Sequence, residues 1–200
     1  MDLKSTSIIV LTGGASTRFG SDKSAALIAG QSLIARILTS IPDEIDVIIV
    51  GPDPVVAGRK YECVQEQPVG GGPVAGFAAG LAICTSEIVA LIATDMPFAV
   101  TQVINLINSM KAHDDAAMYV DDDGFKQPLA AIYRVQAVEM ALKSLDNSAG
   151  KSMRELISHL TVCEVGMSKE VADSLRDIDT PADLDVAIAF EATLSDNSKL

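Results

Sequence analysis

A chain of 200 residues with a formal charge of −12 repels phosphate backbones and anionic lipid, which argues against general nucleic-acid binding and against adsorption to a charged membrane. Apolar residues make up 48% of it and aromatic ones only 4%, a balance of Ala, Val, Ile and Leu that suits the buried parallel strands of an α/β domain. A phosphorylated small substrate is compatible with such a chain only if Lys and Arg gather locally inside the acidic field.

The first half alternates strands with helices. Ser7–Leu11 is a short apolar strand, and the spacing of Leu33, Ile34, Ile37, Leu38 and Ile41 predicts a helix over Gln31–Ile41. Asp46–Val50 and Tyr61–Val64 are further strands. Pro73–Cys84 is a helix with Pro73 in its first turn. Ile88–Ala93 is the most apolar strand and belongs at the centre of the sheet. Thr101–Met110 is helical, with Thr101 as the expected N-cap. Ala116–Val120 and Leu129–Tyr133 read as strands joined by the polar turn Asp121–Gly124. Helices over Val135–Leu145 and Ser152–Leu160, a strand over Thr161–Val165 and a last helix over Pro181–Leu194 complete the pattern. It implies a three-layer domain over residues 1–194, with a mostly parallel central sheet and helices on both faces, followed by a frayed tail over residues 195–200.

Two features bear on location. Gln67–Ser86 has no charged residue and is long enough to span a bilayer, but its glycines and prolines indicate a loop followed by a buried helix. Met1–Ser7 lacks the apolar core of a signal peptide. Cys63, Cys84 and Cys163 are odd in number and lie at no metal-ligand spacing. They read as reduced core thiols of a cytoplasmic protein, and His113 and His159 stand apart from them, which leaves no zinc site.

The loop after the first strand carries the chemistry. Leu11–Lys23 reads Leu-Thr-Gly-Gly-Ala-Ser-Thr-Arg-Phe-Gly-Ser-Asp-Lys, and a helix is expected after it. In an open parallel sheet, ligands bind beyond the carboxyl ends of the strands. Gly13 and Gly14 let the backbone approach phosphate oxygens, while Arg18 and Lys23 supply the required cations. The adjacent glycines do not match a dinucleotide fingerprint, and Asp22 stands where a Walker loop needs glycine before its lysine.

This pattern, Leu-x-Gly-Gly-x-Ser-x-Arg-x-Gly-x-Asp-Lys, resembles the signature of molybdenum cofactor guanylyltransferases, which are Rossmann-like nucleotidyltransferases. Four more segments resemble that family in the same order: Gly72-Pro73-Val74-Ala75-Gly76, Thr94-Asp95-Met96-Pro97-Phe98, Gln127-Pro128-Leu129-Ala130-Ala131-Ile132-Tyr133, and Asp177-Ile178-Asp179-Thr180-Pro181-Ala182-Asp183-Leu184. The resemblance implies transfer of GMP from GTP to the terminal phosphate of molybdopterin, with release of pyrophosphate. It implies that Leu11, Thr12 and Gly13 line the base and ribose, that Lys23 contacts phosphate, and that Glu66 stands where an acidic residue contacts guanine. Thr12 replaces the family's usual alanine and Phe19 its methionine. Gly51 stands where some members have an asparagine, so base selectivity follows less firmly than reaction class.

The remaining candidates each have a plain structural alternative. Gly70-Gly71-Gly72 before Pro73 is either a connector or the wall of a base site that ends in a helix N-terminus. Asp95 either caps a turn before Pro97 or holds Mg²⁺ against triphosphate oxygens, and the nearby glycine loop favours the metal. Asp121–Gly124 lacks the spacing of a calcium loop. Thr180 and Asp183 form a capping box that explains their segment, and Asp179 is open between that role and a second metal or substrate contact. Gln127 and Pro128 border either an acceptor pocket or an ordinary strand entry. Lys126 and Lys151 are either acceptor contacts or solvated lysines.

The expected mechanism is in-line attack of an acceptor phosphate on the α-phosphorus of GTP. Arg18, Lys23 and a Mg²⁺ on Asp95 neutralise charge, and Leu11, Thr12, Gly13, Gly14, Glu66, Gly72 and Pro73 bind the nucleotide. The expected partners are GTP, a molybdopterin-type acceptor and proteins of the molybdenum cofactor pathway. The rival readings are a cytidylyltransferase of the same fold, another small-phosphate nucleotidyltransferase, and a catalytically silent nucleotide-binding regulator.

Overall fold

The structure is a computed structural model that describes residues 5–12 and 26–197. Nine strands are described: β1 (Thr6–Leu11), β2 (Leu27–Ile28), β3 (Gln31–Ser32), β4 (Asp46–Val50), β5 (Glu62–Val64), β6 (Ile88–Ala93), β7 (Ala116–Val120), β8 (Lys126–Arg134) and β9 (Val162–Gly166). The helices are α1 (Leu33–Ser40), α2 (Pro73–Leu81), α3 (Ala99–Asn105), α4 (Val135–Lys143), α5 (Met153–Ile157), α6 (Lys169–Ser174) and α7 (Pro181–Asn197), with a 3₁₀ turn over Leu106–Ser109.

Seven strands form one sheet in the order β5-β4-β1-β6-β8-β7-β9. β8 runs antiparallel to both of its neighbours, and the other pairings are parallel. β1 and β6 are buried along their whole length, which is why both read as unbroken apolar runs rather than as alternation. Successive side chains still point to opposite faces. Ile8 and Val10 pack with Ile37 of α1 and Val103 of α3, while Ile9 and Leu11 pack with Phe77 of α2, Val138 of α4 and Leu156 of α5. The result is the expected three layers around a mostly parallel sheet. β6 lies fourth of the seven strands, at the centre.

Several local expectations are corrected. The helix expected over Gln31–Ile41 begins at Leu33, because Gln31–Ser32 pairs with Leu27–Ile28 in a two-stranded hairpin. The glycine loop is therefore followed by a hairpin before α1. Thr101 is not an N-cap: α3 starts at Ala99 after Phe98, with no side-chain cap, and the chain tightens into a 3₁₀ turn after Asn105. The cysteines are free thiols but not core residues. Cys63 is exposed on the edge strand β5, and Cys84 and Cys163 are half-buried. α6 is a further short helix not expected from the sequence, and Ser168 caps it by accepting from the Val171 N–H at 3.3 Å. α7 runs past Leu194 to Asn197. Gln67–Ser86 is a loop and a short helix, and no described helix is long and apolar enough to cross a membrane.

α2 approaches β1 closely because it lacks a side chain at Gly80, where a Cβ would stand 2.9 Å from two Ile9 side-chain atoms. Gly80→Ala is expected to lower stability by about 1–2 kcal/mol, as overpacking of roughly 1–3 kcal/mol outweighs a helix-propensity gain of at most about 1. The urea midpoint measures this. An unchanged midpoint would mean that Ile9 yields without cost.

Candidate functional site

Three parallel strands end side by side at the carboxyl edge of the sheet, and two threonines fasten them. Thr12, just past β1, donates to the Val50 carbonyl of β4 from both its N–H and its hydroxyl, each at 2.9 Å. Thr94, just past β6, donates to the Leu11 carbonyl from its N–H at 3.0 Å and its hydroxyl at 2.5 Å. The Thr12 hydroxyl is thereby directed at β4, which accounts for a threonine where the resembling family has alanine. Leu11 is buried beneath α2 beside Gly76, so its side chain belongs to the core.

Gly13, Gly14, Arg18 and Lys23 lie outside the described residues. The positions that flank them fix where the loop leaves the sheet, at the end of β1 between β4 and β6.

Glu66 is buried and anchors the glycine run that follows it. Its carboxylate accepts from the Gly70 N–H at 2.9 Å and from the Gln65 amide. Gly72 adopts φ 89°, a left-handed conformation that favours glycine, and hands the chain to Pro73 at the start of α2. The Gly150 N–H donates to the Gly71 carbonyl at 2.8 Å, which brings the Lys151 backbone next to Gly72. Glu66, Gly72 and Pro73 thus line the edge on the β5-β4-β1 side.

Asp95 is half-buried in the turn after β6. The turn is held from three directions. The Met96 N–H donates to the Ala93 carbonyl at 3.1 Å, and the Ile178 N–H donates to the Asp95 carbonyl at 3.0 Å. Phe98 closes the turn against helix neighbours on both sides. The Arg36 guanidinium of α1 sits 4.6 Å from its ring centroid, Phe190 of α7 packs edge-on at 5.0 Å, and Arg36 is ion-paired with Glu191 of α7. Ile178 docks into the same small cluster as Ile28 and Leu33. The C-terminal helix therefore helps to set the position of Asp95, a role that no local pattern in the chain announces.

The Asp177-Ile178-Asp179 segment runs beside this turn. Partial desolvation of the Asp177 carboxyl, reinforced by Asp179 and then by Asp95, raises its pKa from the ordinary value. Three carboxylates thus share one electrostatic neighbourhood, the hard oxygen chemistry that suits Mg²⁺. Among the described residues, no group of three or more His, Cys, Asp or Glu is arranged to hold a metal. One carboxylate with phosphate oxygens and water is a sufficient set for Mg²⁺, and Asp95 fits that use.

The other candidates separate. Thr180 and Asp183 form the expected cap, with the Thr180 N–H 2.8 Å from the Asp183 carboxylate and the Asp183 N–H 3.2 Å from the Thr180 hydroxyl. The Asp179 N–H donates to the same carboxylate at 3.2 Å. Asp121 organises a turn by accepting from Asp123 and Phe125 N–H groups. Lys126 pairs with Glu164 at 2.9 Å. Gln127 opens into a pocket beside Asp177, and the Pro128 carbonyl accepts from the buried Tyr133 hydroxyl at 2.6 Å.

Comparison with known proteins bears on the family and the fold. The family described as "MobA-like NTP transferase domain" matches residues 8–163. A probable molybdenum cofactor guanylyltransferase of Bacillus cytotoxicus is 30% identical, over 80% of this chain and 83% of its own. One from a Nostoc species is 29% identical, over 89% and 88%. Among solved structures, molybdopterin-guanine dinucleotide biosynthesis protein A of Archaeoglobus fulgidus superposes with a TM-score of 0.68 at 21% identity, covering 94% of this chain and 99% of its own. The 4-diphosphocytidyl-2C-methyl-D-erythritol synthase of Anaerococcus prevotii superposes at 0.64 with 15% identity, over 94% and 96%. At those identities the two structures speak for the fold alone.

Proposed function

The chain belongs to the MobA-like NTP transferase family, and on that premise we propose that it is a Mg²⁺-dependent guanylyltransferase that transfers GMP from GTP to the terminal phosphate of a molybdopterin-type acceptor. The observation that carries this reading is the meeting, at one carboxyl edge, of the β1 exit, the anchored Glu66–Pro73 segment and the Asp95 turn. Nucleotide and metal sites of open α/β sheets lie at such an edge.

An oxygen of the acceptor phosphate forms a bond to the α-phosphorus of GTP, and the bond from that phosphorus to the bridging oxygen breaks. Pyrophosphate leaves with the electron pair. The attacking phosphate is already anionic, so no side chain needs to remove a proton. Mg²⁺ on Asp95 would supply charge neutralisation at the triphosphate oxygens. Backbone N–H groups of Gly13 and Gly14, with Arg18 and Lys23, are assigned the same task from the protein side. Leu11, Thr12, Gly72 and Pro73 shape the nucleotide site. Glu66, whose visible hydrogen bonds organise its own loop, is assigned to guanine through its remaining acceptor capacity. The protein acts in the cytoplasm as one nucleotidyltransferase unit alongside other proteins of cofactor assembly.

The likeness in fold to a 4-diphosphocytidyl-2C-methyl-D-erythritol synthase makes base choice the point to test. GTP with Mg²⁺ is expected to raise the melting temperature more than CTP, ATP or UTP at equal concentration, because only ligands that prefer the native state stabilise it. Pyrophosphate release with molybdopterin then separates an enzyme from a silent binder. Stabilisation by CTP equal to that by GTP would overturn the guanine assignment.

A further inference from the structure

Thr94–Phe98 links β6 to α3 and carries Asp95. Backbone hydrogen bonds hold the strand side of this turn, from Thr94 to the Leu11 carbonyl and from Ile178 to the Asp95 carbonyl, each at 3.0 Å. The half-buried ring of Phe98 holds its helix side. Packing alone does not fix that ring. A cavity of about 400 Å³ opens beside it, lined also by Ile178, Ala187 and Phe190, so the ring has room to turn away from its present place.

The Arg36 guanidinium opposes that movement, 4.6 Å from the ring centroid, with Phe190 packed edge-on at 5.0 Å. Arg36 extends from α1 and is held by its ion pair with Glu191 of α7. The two side chains are withdrawn from water, at 14% and 18% exposure. The Arg36 Nε is buried and has no hydrogen-bond partner among the described residues. Such an arrangement is a poor way to stabilise a fold. Desolvation of the two charges offsets much of their attraction, and a buried donor left unpaired costs more. Replacing a buried ion pair by apolar side chains is often neutral or stabilising. What the charges do supply is direction. A guanidinium is attracted to the face of an aromatic ring, and Glu191 fixes where that guanidinium stands.

We infer that Arg36 is a positioning residue for metal binding: steered by Glu191, it fixes the Phe98 ring and through it the turn that presents Asp95 to Mg²⁺. This rests on the proposed metal site at Asp95 and adds the side chains that orient it. Arg36 acts through Phe98 rather than on either substrate.

The test compares wild type, Arg36→Met, Arg36→Lys and the double variant Arg36→Met/Glu191→Leu. One measurement is the urea midpoint of the free protein. The other is the Mg²⁺ concentration that gives half of the melting-temperature rise added by Mg²⁺ in the presence of a GTP analogue with a methylene bridge between its α- and β-phosphates. The double variant is expected to be at least as stable as wild type in urea. It should nevertheless need about three- to tenfold more Mg²⁺, less than the roughly 10- to 100-fold lost with a direct partner of a metal ligand. Arg36→Lys keeps a cation near the ring and Glu191, and should fall between. In a Phe98→Leu background, Arg36→Met should raise the requirement no further, because both act through one ring. A double variant with the wild-type Mg²⁺ requirement overturns the inference. So does a lower urea midpoint for it, which would make the pair a structural tie. A titration that Asp95→Asn leaves unchanged would remove the metal from Asp95 itself, a result distinct from failure of Arg36.

Discussion

Replacing Asp95 with asparagine is expected to leave a folded protein that requires at least about tenfold more Mg²⁺ and turns over about a hundred- to a thousandfold more slowly, the scale of one preorganised charge-stabilising group. The fold should survive because the ties of this turn to Ala93 and Ile178 are backbone hydrogen bonds, which asparagine keeps. The contacts of Phe98 with Arg36 and Phe190 also lie outside the substituted side chain. Asparagine and aspartate both favour such turns, so a purely structural Asp95 would tolerate the change. What asparagine removes is the negative charge on a hard oxygen donor. Activity measured against Mg²⁺ concentration distinguishes the cases. Superimposable curves for the two proteins would mean that Asp95 only shapes the turn and that the metal is held elsewhere.

Lys23→Ala is expected to cut turnover by about a hundredfold or more while leaving the Mg²⁺ concentration for half-maximal activity nearly unchanged. The two substitutions should therefore differ in kind. Asp95→Asn moves the metal requirement, whereas Lys23→Ala removes a cation that needs no metal to act on phosphate. The motivation for Lys23 is its place at the end of the glycine loop, in a chain whose net charge otherwise opposes a triphosphate. Steady-state kinetics at saturating Mg²⁺ is the measurement. A folded variant with wild-type turnover would remove Lys23 from the phosphate site.

Where periodicity and chemistry acted locally, the amino-acid sequence was enough. The unbroken apolar run Ile88–Ala93 has no soluble alternative to the middle of a covered sheet, and β6 lies there. Thr180 and Asp183 form their cap because both partners lie within one helical turn. The order of the motifs was legible too, since the β1 exit, the Gly72–Pro73 helix start and the Asp95 turn each follow from strand-then-loop patterning and reach the same edge.

Tertiary structure decided what depends on residues far apart in the chain. A helix pattern at Gln31 gave way to hairpin pairing with Leu27–Ile28, because strand partners outweigh a weak local preference. Cys63 looked like core but is exposed, since only the sheet order makes β5 an edge strand. The bracing of the Asp95 turn by Arg36 and Phe190 joins α1, the β6 turn and α7. Likewise, the meeting of Gln127, Met167 and Arg176 in one pocket depends on the antiparallel insertion of β8 between β6 and β7. A linear pattern reports which face a residue prefers, but not which distant face it meets, and that pairing is settled by the topology of the sheet.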